Sequence, residues 1–454
     1  MKSKTMMLKG FTIISVFLLI IVSVHPVVAE TSGNGMIFTI QDKTTHYDVQ
    51  TATIIDKDSL DISLTPLDIP DYVIASANEK KESGTITTDD EIYNLVIFNN
   101  PIPNRLDTVV LPITLYGKEY EAVLSRMPET IDDGIDSYLG SITGIPNSEV
   151  LLTFSGDYKV RGSISYPGEY LRIKPIQRST DAQMVTNPVH IIYSEYDTIH
   201  SSNYVDFCAV DDSRTMIDTI TEVGQTSLES IDSEFDVVTI DILVVTDDAF
   251  FDLEEGDWID AAQDYILAAN SATSFGREDV GIYFNVIGYD SSRKNLLGSH
   301  FDVETDPLSA LKGVYPTSYL NSIGADLCLY LGGYDREGTA QGQAGYPYGQ
   351  YNRYAWCQMV NDWSGDLYSG NEHSRTYCVI HELGHNIGAT HEQATARWLN
   401  GNIVTNTVMV GVYYGILFHS FEFSSTYSPS YIGDATHDNA RLIRSYKLQV
   451  SQYT

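Results

Sequence analysis

The stretch His381-Glu-Leu-Gly-His385-Asn-Ile-Gly388-Ala-Thr-His391 decides the reading of this chain. His381 and His385 stand four residues apart, so a helix brings both imidazoles to one face, one turn apart. Two neutral imidazoles so placed can share one tetrahedral zinc ion at about 2.0–2.1 Å. Glu382 follows the first histidine, where it sits beside the ion as a general base rather than as a ligand. Gly388 lets the chain leave the helix at a position suited to φ > 0, and the turn returns His391 as a third ligand. A fourth position remains for water, the mark of a catalytic rather than a structural site. The chemistry expected there is hydrolysis. Zinc polarises a carbonyl and acidifies water, while Glu382 takes the proton and passes it to the leaving group.

Upstream of this segment the pattern is that of an α/β domain. Val237–Thr246 is a largely apolar strand. Trp258, Ala261, Ala262, Tyr265, Ile266 and Ala269 recur at helical spacing. Val280–Ile287 and Ala325–Leu331 are further strands, an order that predicts a sheet with some parallel pairing. Gly332–Tyr354 reads as an irregular edge. Before 211 the chain leans to strands: Leu95–Phe98, Val109–Leu115, Val150–Phe154, Lys159–Ile164, Tyr170–Ile173 and His190–Tyr193, punctuated by turn pairs such as Pro167-Gly168, as in an antiparallel β domain. Residues 211–234 are acidic and poor in large apolar side chains, and read as an exposed linker.

With 454 residues and 43% hydrophobic content, the chain can bury more than one core. Its net charge of −34 argues against a nucleic-acid partner, which needs a basic surface. Lys2, Lys4 and Lys9 precede an uncharged run from Phe11 to Val24, followed by small residues up to Ala29. That is the order of a secretory signal peptide, and the run is short for a membrane span. No stable membrane anchor is expected, and the destination is extracellular or in the cell envelope. The boundaries read are 1–29 signal peptide, 30–210 propeptide region, 211–234 linker and 235–454 catalytic domain.

The zinc segment resembles the metzincin clan, whose motif His-Glu-x-x-His-x-x-Gly-x-x-His is complete here. The clan carries a methionine turn beneath the metal, and Thr407-Val-Met409 matches it, eighteen residues after His391. Within the clan the likeness is closest to the reprolysin or adamalysin family, supported by Ala325–Asp335, Gly338–Tyr346 and Gly433–Arg441. Tyr170–Pro175 with Val189–Tyr193 resembles that family's propeptide, placed at about 138–210. Glu392 departs from the Asp usual after the third histidine in reprolysins. Gly411 stands where astacins have tyrosine. The resemblance implies an α+β catalytic domain with a mixed twisted sheet and an active-site helix, preceded by a mainly β prodomain. It also implies a secreted zinc endopeptidase made as a zymogen. Its partners would be its own propeptide and a protein or peptide bound as an extended strand. A zinc amidase acting on cell-wall peptides and a non-catalytic zinc-binding adhesion or inhibitor module are the alternatives.

The remaining candidates carry competing readings. Cys208, just before the linker, is a candidate cysteine switch whose thiolate would fill the open zinc position, or else a disulfide partner or buried thiol. Cys357 and Cys378 are the candidate disulfide, pinning the active-site helix. Cys328, in an apolar strand, reads as a buried thiol. His373, His419 and His437 lack ligand spacing to another histidine. Asp434 and Asp438 could bind calcium, but a helix starting near His437 makes capping the better reading. Tyr413, Tyr414, Leu417 and Phe418 are candidates for the wall of a substrate pocket.

Overall fold

In this computed structural model the described residues are short strands between 38 and 97, then 105–115, 118–155, 159–167, 169–175, 189–194, 205–206, 236–254, 256–274, 279–291, 307–333, 341–359, 372–399, 402–413, 420–427 and 432–453. The expected signal peptide, the 211–234 linker and Cys208 lie outside them. All the described residues belong to one compact unit, Gly35–Thr454.

The N-terminal half is built from strands, as its alternating pattern predicts. They are Phe38–Ile40 (β1), Asp48–Val49 (β2), Ala52–Thr53 (β3), Ile55–Asp56 (β4), Tyr93–Ile97 (β5), Thr108–Leu115 (β6), Lys118–Arg126 (β7), Ile135–Ile142 (β8), Glu149–Ser155 (β9), Val160–Tyr166 (β10), Glu169–Pro175 (β11) and Val189–Ser194 (β12). From β6 to β12 they form an antiparallel meander in chain order, while β5 pairs with β12 and β1 lies parallel to β6. Pairing each strand with the next in sequence is the simplest antiparallel arrangement. Two of its members, β7 and β8, were not among the strands expected from the sequence. In both, charged or small residues interrupt the apolar pattern.

The C-terminal half opens, after Val205–Asp206 (β13), with Val238–Thr246 (β14), and continues through Ile282–Asp290 (β15), Leu327–Gly332 (β16), Gly342–Ala344 (β17) and Tyr354–Gln358 (β18). The sheet order is β15-β14-β16-β18-β17. The first four strands run parallel, and β17 is antiparallel at the edge. β14 and β16 are near-continuous apolar runs because a parallel strand is covered on both faces. The sheet is therefore mixed, as expected. Its edge strand lies within Gly332–Tyr354, where sequence reading found only irregular chain.

Helix α1 (Asp248–Leu253) begins where Asp247 accepts a hydrogen bond from Phe250 N. Helix α2 (Trp258–Thr273) is buried along almost its whole length. It packs on β8, β9 and β10 on one side and on β15 and the active-site helix on the other, which accounts for an apolar pattern wrapping most of the way round it. Helices α3 (Pro307–Val314) and α4 (Thr317–Ile323) cover the opposite face of the catalytic sheet, against Leu243, Val245, Cys328, Tyr330 and Trp356. The active-site helix is α5 (Glu372–Asn386), and α6 (Asn439–Val450) closes the chain. Asp438 caps α6 by accepting from Arg441 N, so capping is the role the structure gives it. Among the described residues no helix is long and apolar enough to cross a membrane.

Candidate metal centre

Helix α5 carries His381 and His385, and the turn after it carries His391. The turn depends on Gly388. Its φ is +103°, and a Cβ there would overlap the ring of Tyr446 on α6, so only glycine serves. His391 then opens a short 3-10 turn, His391–Gln393, capped by Thr390. Asn439, at the start of α6, holds this segment from both sides. Its side chain accepts from Thr390 N at 2.8 Å and donates to Thr390 O at 3.1 Å.

The three Nε2 atoms converge. They lie 3.0 Å (His381–His391), 3.2 Å (His381–His385) and 3.1 Å (His385–His391) apart. Nitrogens on a zinc ion at the usual bond length are separated by about 3.3 Å in a tetrahedron. The other ring nitrogens are already occupied. His381 Nδ1 donates to Val408 O at 2.7 Å and His385 Nδ1 to Ala389 O at 3.0 Å. These bonds fix the tautomer that leaves Nε2 lone pairs for a metal. Burial, with His381 and His391 close by, pushes His385 well below the usual imidazole range, so the ring is neutral. The donor set fits a zinc ion, and His381, His385 and His391 are the residues that would hold it.

Met409 is fully buried under α5, and a Cβ on Gly384 would come 2.6 Å from its sulfur. Tyr377, one turn before His381, donates to Val410 O at 2.8 Å and so ties helix to turn. Gly411 approaches His391 so closely that a Cβ would come 3.1 Å from its Cε1. Glu382 is buried between α5 and the edge strand β17. Asn386 donates to Gly345 O at 2.7 Å and to Tyr354 O at 3.1 Å, fastening the helix to the same sheet edge. Sequence reading missed Tyr377, Asn386, Gly342 and the Val408 carbonyl. Tyr377 alone had a local signal, its place on the His381 face of the helix.

The expected bridge between Cys357 and Cys378 is not formed. Both are buried thiols. Burial, followed by the hydrogen bond that its thiol donates to Cys357, pushes Cys378 well above the usual thiol range, leaving it a poor nucleophile. Cys328 is also a buried thiol, as read from its strand. Among the other histidines, His373 stacks on Phe421 with centroids 4.5 Å apart, and His437 pairs with Asp434 at 2.9 Å. His419, Tyr414, Leu417 and Phe418 lie outside the described residues, and of Tyr413 only the backbone is described.

The start of α5 is held by charge. Glu372 is fully buried, and Lys174 and Tyr265 each reach it at 2.9 Å. Burial alone would raise its pKa. Lys174, Arg375, Arg172 and Arg161 together hold it well below the usual carboxylate range instead.

A mixed sheet, an antiparallel edge strand and three histidines on a helix and its following turn define a metzincin-like zinc metallopeptidase. Residues 259–392 match the family described as metallo-peptidase family M12B, reprolysin-like. The match ends just after His391, and Met409 stands outside it. Among solved structures the chain is similar to that titled crystal structure of metalloproteinase-II from Bacteroides fragilis, at 14% identity and a TM-score of 0.37, over 63% of this chain and 83% of that one. No curated protein matches the chain.

Proposed function

We propose that the chain is a secreted zinc endopeptidase made as a zymogen, with Glu382 as its general base. The observation that carries this reading is the convergence of three Nε2 atoms within 3.2 Å, beside a buried glutamate and an edge strand. When bound there, zinc supplies Lewis-acid polarisation of a peptide carbonyl and a more acidic water. Glu382 accepts a proton from water and returns it to the departing amine. A substrate in extended form pairs by backbone with β17, whose outer edge has no partner strand among the described residues. His381 and His385 keep their orientation through Val408 O and Ala389 O, and Met409 supports them from below.

The zymogen part rests on strand β13. Val205–Asp206 pairs antiparallel with Val412–Tyr413, the segment that follows Gly411 and His391. A stretch of the N-terminal half thus lies along the wall of the centre. Cys208, two residues on, is the candidate to supply a thiolate to the open zinc position. Replacing it by serine should then speed activation of the precursor.

A peptide-library digest, with and without a chelator, tests the enzyme reading. The processed wild type should cut peptides, the chelator should stop it, and Glu382→Ala should be inactive while still binding zinc. If Glu382→Ala cuts as well as the wild type, the assigned base is wrong.

A further inference from the structure

We propose that the β-sheet of the N-terminal half stays bound to the catalytic half after the chain is cut between them, as a permanent subunit docked behind the zinc helix. This rests on the precursor reading above. Three features of the contact carry it.

The first is a shared core. Leu139 and Leu151 from the N-terminal sheet, and Met127 just after β7, belong to the same buried cluster as Ala261, Ala262, Tyr265, Leu383 and Met409. An interface of this kind resembles a domain core cut in two, the pattern of obligate complexes.

The second is charge. Lys159, Arg161, Arg172 and Lys174 project from β10, β11 and the turn before them. They meet Glu254, Asp257, Asp264 and Glu372, with Asp260 nearby. Arg375 of α5 joins the same cluster through Glu254 and Glu372 at 3.4 Å each. The eight residues of the four principal ion pairs are all buried. In a chain with 61 acidic and 27 basic residues, these four cations balance a carboxylate cluster that would otherwise repel itself. Departure of the sheet would leave four acidic residues on α2 and its approach, together with Glu372, facing one arginine.

The third is position. Tyr170 of β11 packs edge-on against His373 of α5 at 5.3 Å and against Phe421 at 6.1 Å. Thr130 donates to Asn285 on β15 at 2.8 Å, and Gln263 of α2 donates to Ser137 of β8 at 3.2 Å. These contacts lie on β15, along α2 and at the start of α5, about two turns before His381. The sheet can therefore remain while the β13 segment leaves the wall of the centre.

The test uses the full chain with a specific protease site inserted in 211–234. After cutting, native mass spectrometry and size-exclusion chromatography at physiological salt should show the two fragments as one 1:1 complex. Elution as separate, folded fragments overturns the proposal. A second variant, Arg172→Glu with Lys174→Glu, should weaken retention at least tenfold relative to the cut parent. Unchanged retention also counts against the charge cluster. Peptide hydrolysis is assayed on the same samples. A retained complex that cuts nothing even with Cys208→Ser and with the 205–210 segment also excised would sink the enzyme reading but leave this one standing. Separated fragments with an active catalytic piece would do the reverse.

Discussion

Gly342 on the edge strand and Glu382 on the active-site helix are in direct contact. A Cβ on Gly342 would overlap the Glu382 carboxyl oxygen and come 2.7 Å from its Cδ. The strand that would receive substrate and the base that would act on it are therefore fitted to one another through a missing side chain.

Gly342→Ala should move the Glu382 carboxylate without touching the three histidines. The expected result is a drop in kcat of roughly 10–100-fold with zinc content unchanged, since displacing a catalytic group by about 1 Å costs on that order. Single-turnover kinetics beside metal analysis check it. Equal loss of zinc and activity would mean that the helix, not the base, had shifted.

Gly388→Ala tests the turn that delivers His391. The substituted residue would have to hold a φ of +103° and displace the Tyr446 ring. Destabilisation of about 2–4 kcal/mol is expected from strain and overpacking together, read as a lowered midpoint in urea. Zinc affinity should fall as well, because the third ligand rides on that turn.

Zinc itself should stabilise the fold. At a free concentration 1,000 times Kd, a ligand that binds only the folded state adds about 4 kcal/mol. Thermal melts with and without a chelator should separate accordingly, and His385→Ala should bring the two curves together. A melt of the wild type that ignores the chelator would argue against a preformed site.

Glu129 gives a pH dependence. Burial, offset in part by its hydrogen bond from Ser137 N, raises its pKa from 4.5 to about 7. The folded state thus holds a proton that the unfolded state has lost between about pH 4.5 and 7. Stability contributed here falls as pH rises through that window and is level above it. Glu129→Gln should stabilise the protein by about 1–2 kcal/mol at pH 8 and by almost nothing near pH 4.5. Denaturant midpoints measured at both values decide it. A gain of the same size at both would point to packing rather than ionisation.

Much of the centre was legible because it is local. His381, Glu382, His385, Gly388 and His391 fall within eleven residues, and helix geometry fixes what that spacing means. Met409 was legible from segment order. The edge strand β17 was not, since Gly-Gln-Ala has no apolar alternation and its place comes only from pairing with β18. The ion pairs of the basic residues on β10 and β11 were not legible either. Their acidic partners lie 92 to 200 residues away, beyond any pattern in a short window. The Cys357–Cys378 bridge was expected from proximity to the helix, and the two side chains are indeed neighbours, but as thiols in a dry core.

The pairing of Val205–Asp206 with Val412–Tyr413 is an association within one molecule. Its strength is set by tether length and not by how much protein is present, so dilution leaves it unchanged. For flexible tethers the effective concentration is on the order of millimolar. A ladder of two residues offers little to hold against that of a longer peptide. Competition at this wall is therefore graded by how well a substrate pairs, and a scarce or poorly matched peptide loses to the chain's own segment at every enzyme concentration.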